Sequence, residues 1–448
     1  MLELERRGTP TVMWTSVDFV LDAEVSAKTF GFDAVAIATI EKATAARGPE
    51  ELRQMVDSSI GKVIESLTKP VAKPHAKVGL PSELITIKGN DLLDAMEKMH
   101  QQFLDQGWSD GFPLVPPTPQ SVTKMLTGTH LRRETVLCEL EPGNGIATVE
   151  KIAINAVMAG CRPEHMPVVI TAVRCISEPV MCLRNQTMST ASHALFILVN
   201  GPIAKKLHMN SKCGAFGPGS PSYANTVIGR TLSLVIMNVG HAYPGVMAMG
   251  DQGSPLKYSL CVAENEEDSP WEPLHVGKGY DKDTSTLSVM YVYGMCSFQD
   301  MASYTAESLA RGLCTAVTDA ASLGSGLWVI GRMGDSRYNA FAREENLVLL
   351  CPEQAQIFAR DGWGKDTLRQ YLYDHARVPL ELILLSKTAL AMKDAHPELT
   401  WMLDHPELPI PIVETPDCFQ MAVVGSAGST SFYFQGARSM FTLPVRDE

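Results

Sequence analysis

The sequence predicts an α/β protein, with a small parallel-sheet module at the N-terminus and a larger α/β region that divides into two subdomains. Three observations carry this prediction. Apolar stripes at helical spacing alternate with short β-branched runs along most of the chain. Hydrophobic residues make up 45% of 448 positions and charged residues 20%, which is enough apolar material for substantial cores. That length sets two or three domains as the prior.

In chain order, Thr11–Ser16 reads as a strand, Phe19–Phe30 as a helix and Phe32–Ile40 as a second strand. Glu50–Leu67 places Leu52, Met55, Val56, Ile60, Val63, Ile64 and Leu67 at 3–4 spacing, one face of a helix. Strand–helix–strand–helix is a parallel-sheet unit, assigned to residues 1–70 as a flavodoxin-like half-module. The proline-rich stretch 71–82 reads as a linker. A loop-rich α/β domain is expected over 83–285. It opens with the amphipathic helix Asp91–Gln106 and continues with helices at Thr148–Ala159 and Val168–Ile176, the strand Ala194–Val199 and the helix Asn225–Val239. A second α/β subdomain is expected over 286–448. Its strands are Thr286–Tyr293, Leu327–Arg332, Leu347–Cys351 and Phe419–Gly425, and its helices are Ala306–Ala321, Pro352–Arg360 and Lys365–His375. No repeat of 20–50 residues stands out beyond two Gly-Trp turns at Gly107 and Gly362.

Charge and hydropathy exclude several classes. Lys and Arg number 38 against 50 Asp and Glu, a net charge of −12, so a basic nucleic-acid face is not expected. No apolar run approaches the ~20 residues that span a bilayer, and the charged start Met1–Arg7 does not read as a signal peptide. A cytoplasmic protein without membrane or nucleic-acid partners is expected. Ten scattered cysteines include no C-x-x-C pair, which argues against a zinc ribbon or a disulfide framework.

The middle third concentrates the residues able to do chemistry. His208–Asn225 carries Gly214, Gly217 and Gly219 ahead of a strong helix, an arrangement that offers backbone donors to an anion. Asn225 and Arg230 would complete that site. Cys213, preceded by Lys212 and followed by glycine, is the candidate thiol nucleophile or metal ligand, with Cys161 in a similar setting. His193, His241 and His275 lie in loops of the same third and are candidate bases or ligands, with Glu264 and Glu267 as candidate acids. Arg184 and Asn185 are candidate substrate-anion contacts. No metal-binding spacing is present, so neither a metal nor a cofactor is assigned. Two further loops, Glu141–Thr148 with Thr148 as N-cap and Val423–Thr430, offer small residues beside helix or strand ends.

Leu4-Glu-Arg-Arg-Gly-Thr-Pro-Thr-Val12, followed by Ala23–Gly31 and Ala34–Ile40, resembles the latter half of the UGSC family of thiol or selenol proteins. More distantly it is similar to the component B selenoproteins of glycine and betaine reductases. In that family the stretch directly follows a redox motif, Gly-Asp-(Sec or Cys)-Gly-Ser-Cys. Met1 stands immediately downstream of that motif's position, so the resemblance implies an upstream segment or a small thiol or selenol subunit as partner. It assigns no catalytic residue within this chain. The rest, from Asp110–Thr118 to Trp271–His275, looks like an uncharacterised domain joined to such modules.

The leading expectation is an enzyme, an oxidoreductase or lyase, that reductively or eliminatively cleaves a small anionic substrate in one site built from loops 141–275. Assembly as a homo-oligomer is expected. A metal-assisted hydrolase or lyase using the histidines and Glu264 or Glu267, and a non-catalytic scaffold of a redox complex, are the alternatives.

Overall fold

A computed structural model describes residues 4–5, 7–29, 32, 34–40, 48–68, 84–320, 328, 343–382 and 400–446. The expected linker 71–82 and most of the expected strand Leu327–Arg332 lie outside them.

The N-terminal unit is a short parallel pair. Strand β1 (Met13–Ser16) runs beside β2 (Ile37–Ile40) in the register Met13↔Ile37 to Ser16↔Ile40. A helix over Val20–Thr29 makes the crossover, and the Pro49–Thr68 helix packs against β2. Trp14 Nε1 donates to Ser59 Oγ at 3.0 Å, tying the sheet to that helix. Among the described residues no third strand joins β1 or β2. Val56, Ile60, Ile64 and Leu67 stay exposed along one stripe of the helix.

Before the main sheet, β3 (Val136–Leu140) and β4 (Gly145–Thr148) form a hairpin. Thr148 caps the following helix, Val149–Ala159, by accepting from Lys151 N. The main sheet is then built from β5 (Ala194–Asn200), β6 (Cys261–Ala263), β7 (Thr286–Gln299), β8 (Asn346–Leu350), β11 (Phe419–Val423), β12 (Thr430–Gly436) and β13 (Phe441–Pro444). Between β8 and β11 in the chain, β9 (Arg377–Pro379) pairs antiparallel with β10 (Pro409–Pro411). Sheet order is β11-β8-β12-β7-β5-β6, with β13 also on β7.

That order reads the same from both edges. β5 is parallel to β6 and antiparallel to β7, as β8 is parallel to β11 and antiparallel to β12, and β7 meets β12 antiparallel at the centre. Chain order repeats too, as β5, β6, β7 and then β8, β11, β12. The sheet therefore holds an internal two-fold that the sequence did not announce. Its outer edges curl toward each other, because Asn265 N, just past β6, donates to Val423 O at the end of β11 at 2.7 Å.

Strand alternation sorts the cores. Ile197, Val199, Leu287 and Val289 face the helices Val149–Ala159, Met166–Ser177 and Tyr223–Asn238. Val348, Leu350, Met421 and Val423 face the helices Ala306–Ala320, Pro352–Arg360 and Lys365–His375. Phe196, Leu198, Met290, Leu347 and Phe434 line the opposite, concave face. The expected boundary at 285/286 thus falls within one continuous sheet, because β7 pairs with β5 from Thr286 to Val292 and with β12 from Val292 to Gln299. β7 also runs to Gln299, past the expected end at Tyr293, since its second half is the central partner of β12.

Among the described residues no single helix is long and apolar enough to cross a membrane. One pair bent by 69°, Pro163–Ser177 with Pro179–Met188, passes that test jointly. Its first member is packed on β7 and β13 within the core.

Candidate functional site

The carboxyl ends of β5, β6 and β11 converge on a buried carboxylate. Glu264 follows β6 directly, and its Oε2 accepts from Asn200 Nδ2 at 2.6 Å and from Leu274 N at 2.8 Å. Val423 N approaches Oε1 at 3.4 Å, and Lys365 Nζ stands 4.0 Å from it. Burial pushes the Glu264 carboxyl above its ordinary range, against the pull of Lys365, and burial likewise lowers the Lys365 ammonium. Glu266 Oε1 accepts from Gly201 N and Asn200 Nδ2, with the buried His275 Nδ1 4.0 Å away. Every Glu264 oxygen is engaged by the protein, so this cluster works as a lock joining the two halves of the sheet.

The Cys213 loop borders the same junction. Ser211 O accepts from Gly425 N at 2.8 Å, and Lys212 Nζ pairs with Glu267 at 3.1 Å and Asp268 at 3.3 Å. Those carboxylates take the cation expected to activate the exposed Cys213 thiol. His193 stands at the other end of β5, seven residues before Asn200, which at ~3.3 Å per residue is roughly 20 Å from Glu264. Cys213, His193 and Glu264 therefore do not share one pocket, contrary to expectation.

The glycine-rich loop closes on itself. Asn225 accepts from Asn210 N and donates to Asn210 O and Ala215 O, at 2.7–2.9 Å. Ser222 Oγ donates to Gly214 O at 2.6 Å. Gly217 and Gly219 adopt φ of +89° and +122°, which is why glycine stands at both. Arg230 is not an anion clamp. Its guanidinium grips Asp110 at 2.6 and 2.8 Å and also reaches the carbonyls of Phe112 and Pro113.

Arg184 is also engaged. Its Nε donates to Glu141 at 3.3 Å and a terminal nitrogen to Asn144 at 2.9 Å, in a cleft of about 500 Å³ that Asn185 and Cys182 share. Glu139, Glu141 and Glu178 make that cleft acidic, which suits an anion poorly. Three non-glycine residues at or beside it, Asn144, Cys182 and His241, have positive φ of 55°, 47° and 58°. His241 packs over Gly143 and Gly145, where added Cβ atoms would meet its own Cβ at 2.7 Å and Val239 O at 1.9 Å. Burial and the charge of Lys151 hold the His241 ring below its ordinary pKa.

A cavity of about 780 Å³ lies outside the loops that the sequence singles out. The Leu92–Asp105 helix contributes Ala95, Met96, Met99 and Phe103, backed by Trp108 in edge-to-face contact with Phe103 at 5.4 Å. Pro116–Pro119 form a second wall. The floor is polar: Asn238 Nδ2 donates to Asn155 Oδ1 at 2.9 Å and to Trp108 O at 3.1 Å, while Asn238 Oδ1 is buried without a partner. Lys151 lines the cavity with an exposed side chain. A mostly apolar chamber with one cation and two amides is the usual build of a small-molecule site. The one sequence sign of it is an asparagine, Asn155, inside an otherwise apolar helix. Among the described residues no group of three or more His, Cys, Asp or Glu is arranged to hold a metal ion.

Residues 1–69 match the model of the UGSC family. No curated protein and no solved structure matches the chain.

Proposed function

We propose that this chain is an enzyme that reductively cleaves a small substrate with an apolar body and an anionic end, held in the 780 Å³ cavity. The electrons would come from a thiol or selenol pair on another segment or subunit docked at the N-terminal unit. The observation that carries this reading is the UGSC match over residues 1–69. The β1–β2 pair, with no third strand among the described residues, supports the docking, since two strands alone are marginal in water.

The chemistry balances with that partner. A carbon–heteroatom bond in the substrate breaks and a carbon–hydrogen bond forms. The thiol or selenol pair gives up two electrons and two protons to become a disulfide or selenosulfide, one proton going to the carbon and the other to the leaving group or, when that group is a halide, to solvent. Lys151 would hold the substrate anion and the Asn155–Asn238 amides its polar neighbour. A cytoplasmic setting, where thiols stay reduced, suits this cycle. Exposed Leu84, Ile85 and Leu92 at the cavity support association with a second copy.

The test pairs the native protein with dithiothreitol and carboxylates that carry an amine, halide or alkylthio group on the adjacent carbon. Release of that group should require the dithiol and stop after alkylation by iodoacetamide. The Ala95→Trp variant, which puts an indole into the cavity, should lose on the order of tenfold or more in kcat/KM while staying folded. Turnover that continues without dithiol and after alkylation would point to elimination or hydrolysis instead.

A further inference from the structure

Three sides of the 780 Å³ cavity are tied down and the fourth is not. The Leu92–Asp105 helix is capped by Asp91, whose side chain accepts from Asp94 N at 2.9 Å. In the proline wall Thr118 caps the following helix, and Ser121 Oγ donates to Pro116 O at 3.0 Å. The Asn155–Asn238 pair holds the floor. The fourth side is formed by residues 84–88, which belong to no helix or strand. Among the described residues no backbone hydrogen bond holds them.

Leu84, Ile85, Thr86 and Ile87 all line the cavity, yet Leu84 is 79% exposed and Ile85 50%. Ile87 is seated against the cluster that holds Met99 and Phe103. Just beyond it the chain is pinned. Asn90 N donates to Asp94 Oδ2 at 2.6 Å, and Gly89 lies so close to the helix that a Cβ there would collide with the Ala95 backbone. The segment thus has a fixed root, a half-seated middle and an exposed apolar tip. With no backbone hydrogen bond to break, it moves at low cost.

We propose that residues 84–88 are a strap that closes over the cavity when an apolar anion fills it, folding Leu84 and Ile85 onto the ligand about the root at Gly89. Closing takes both aliphatic side chains out of water, which is favourable once there is an apolar body to cover, and it shields the bound molecule from water. Leu92 and Leu93, 74% and 72% exposed at the head of the helix, remain available to a second copy after closure. The strap rests on the reading of this cavity as the substrate site and not on the redox step.

Hydrogen–deuterium exchange on the full chain tests it, with anilinonaphthalene sulfonate, an apolar body with an anionic end, as the probe. Without the probe the amides of residues 85–88 should exchange as fast as an open chain, and with it they should slow by about tenfold or more. The double variant Leu84→Ser/Ile85→Ser should weaken probe binding by about tenfold or more, since two aliphatic side chains no longer cover it. Its melting temperature without the probe should match wild type, because both side chains are exposed there. Ala95→Trp, which fills the cavity, shows where the probe binds. Binding that is absent, or that Ala95→Trp leaves intact, overturns the cavity reading and the strap with it. Binding that Ala95→Trp abolishes, with residues 85–88 still exchanging fast or with the double variant keeping full affinity, overturns the strap alone. Protection that appears without the probe as protein concentration rises assigns the segment to a second copy and also overturns the strap.

Discussion

Replacing Arg230 by alanine is expected to cost the large region about 3–5 kcal/mol, the loss typical when one member of a buried ion pair is removed. The pair is close to full burial, with side-chain exposures of 15% for Arg230 and 8% for Asp110. The two bonds to the Asp110 carboxylate, at 2.6 and 2.8 Å, are a bidentate grip that lysine would not reproduce. Alanine would leave a buried carboxylate and the carbonyls of Phe112 and Pro113 without their donor. The effect should reach function as well, because the turn at Asp110–Pro113 leads straight into Pro116–Pro119, a wall of the large cavity. Urea unfolding followed by tryptophan fluorescence measures the loss. The double variant Arg230→Ala/Asp110→Ala should recover part of it, since the orphaned carboxylate is then gone. A single variant within about 1 kcal/mol of wild type would class the pair with exposed salt bridges and separate it from the cavity wall.

Glu264→Ala should be comparably damaging, on the order of 3–5 kcal/mol, because it leaves Leu274 N without its acceptor and takes from Asn200 Nδ2 and the Lys365 ammonium the carboxylate they share at the junction of β5, β6 and β11. The pH dependence gives a separate signature. The folded pKa of Glu264 lies above its ordinary 4.5, so between the two values the native state holds a proton that the unfolded state has released. Stability from this group is therefore greatest below 4.5 and falls as pH rises through the folded pKa. Lys365 acts at the other end. Its folded pKa lies below the ordinary 10.5, so between those values stability rises with pH. Stability profiles of wild type and Glu264→Ala should diverge in slope across the acidic window. Parallel profiles would mean that Glu264 does not titrate as its burial requires.

Local order was readable from local pattern. Pro352–Arg360 and Lys365–His375 form over the residues whose spacing announced them, and Thr148 caps its helix as its side chain allows. Elements that depend on distant partners were not readable. Cys261–Ala263 is three residues long and is a strand because β5 lies beside it. Thr430–Gly436, rich in aromatics, carries no strand expectation, yet it is the strand that joins the two halves of the sheet. The site residues divide the same way. Arg230 looks like an anion clamp until Asp110, 120 positions earlier, is folded against it. Arg184 meets Glu141 across 43 positions.

The central claim is that the N-terminal unit works with a thiol- or selenol-bearing partner. Native mass spectrometry of the protein from its own source, with and without alkylation, tests it most directly. The account predicts a species heavier than 48.8 kDa, as a longer chain or as a stoichiometric complex, whose additional peptide carries a paired cysteine or selenocysteine that alkylates only after reduction. A species of 48.8 kDa alone, fully active after alkylation, would contradict it.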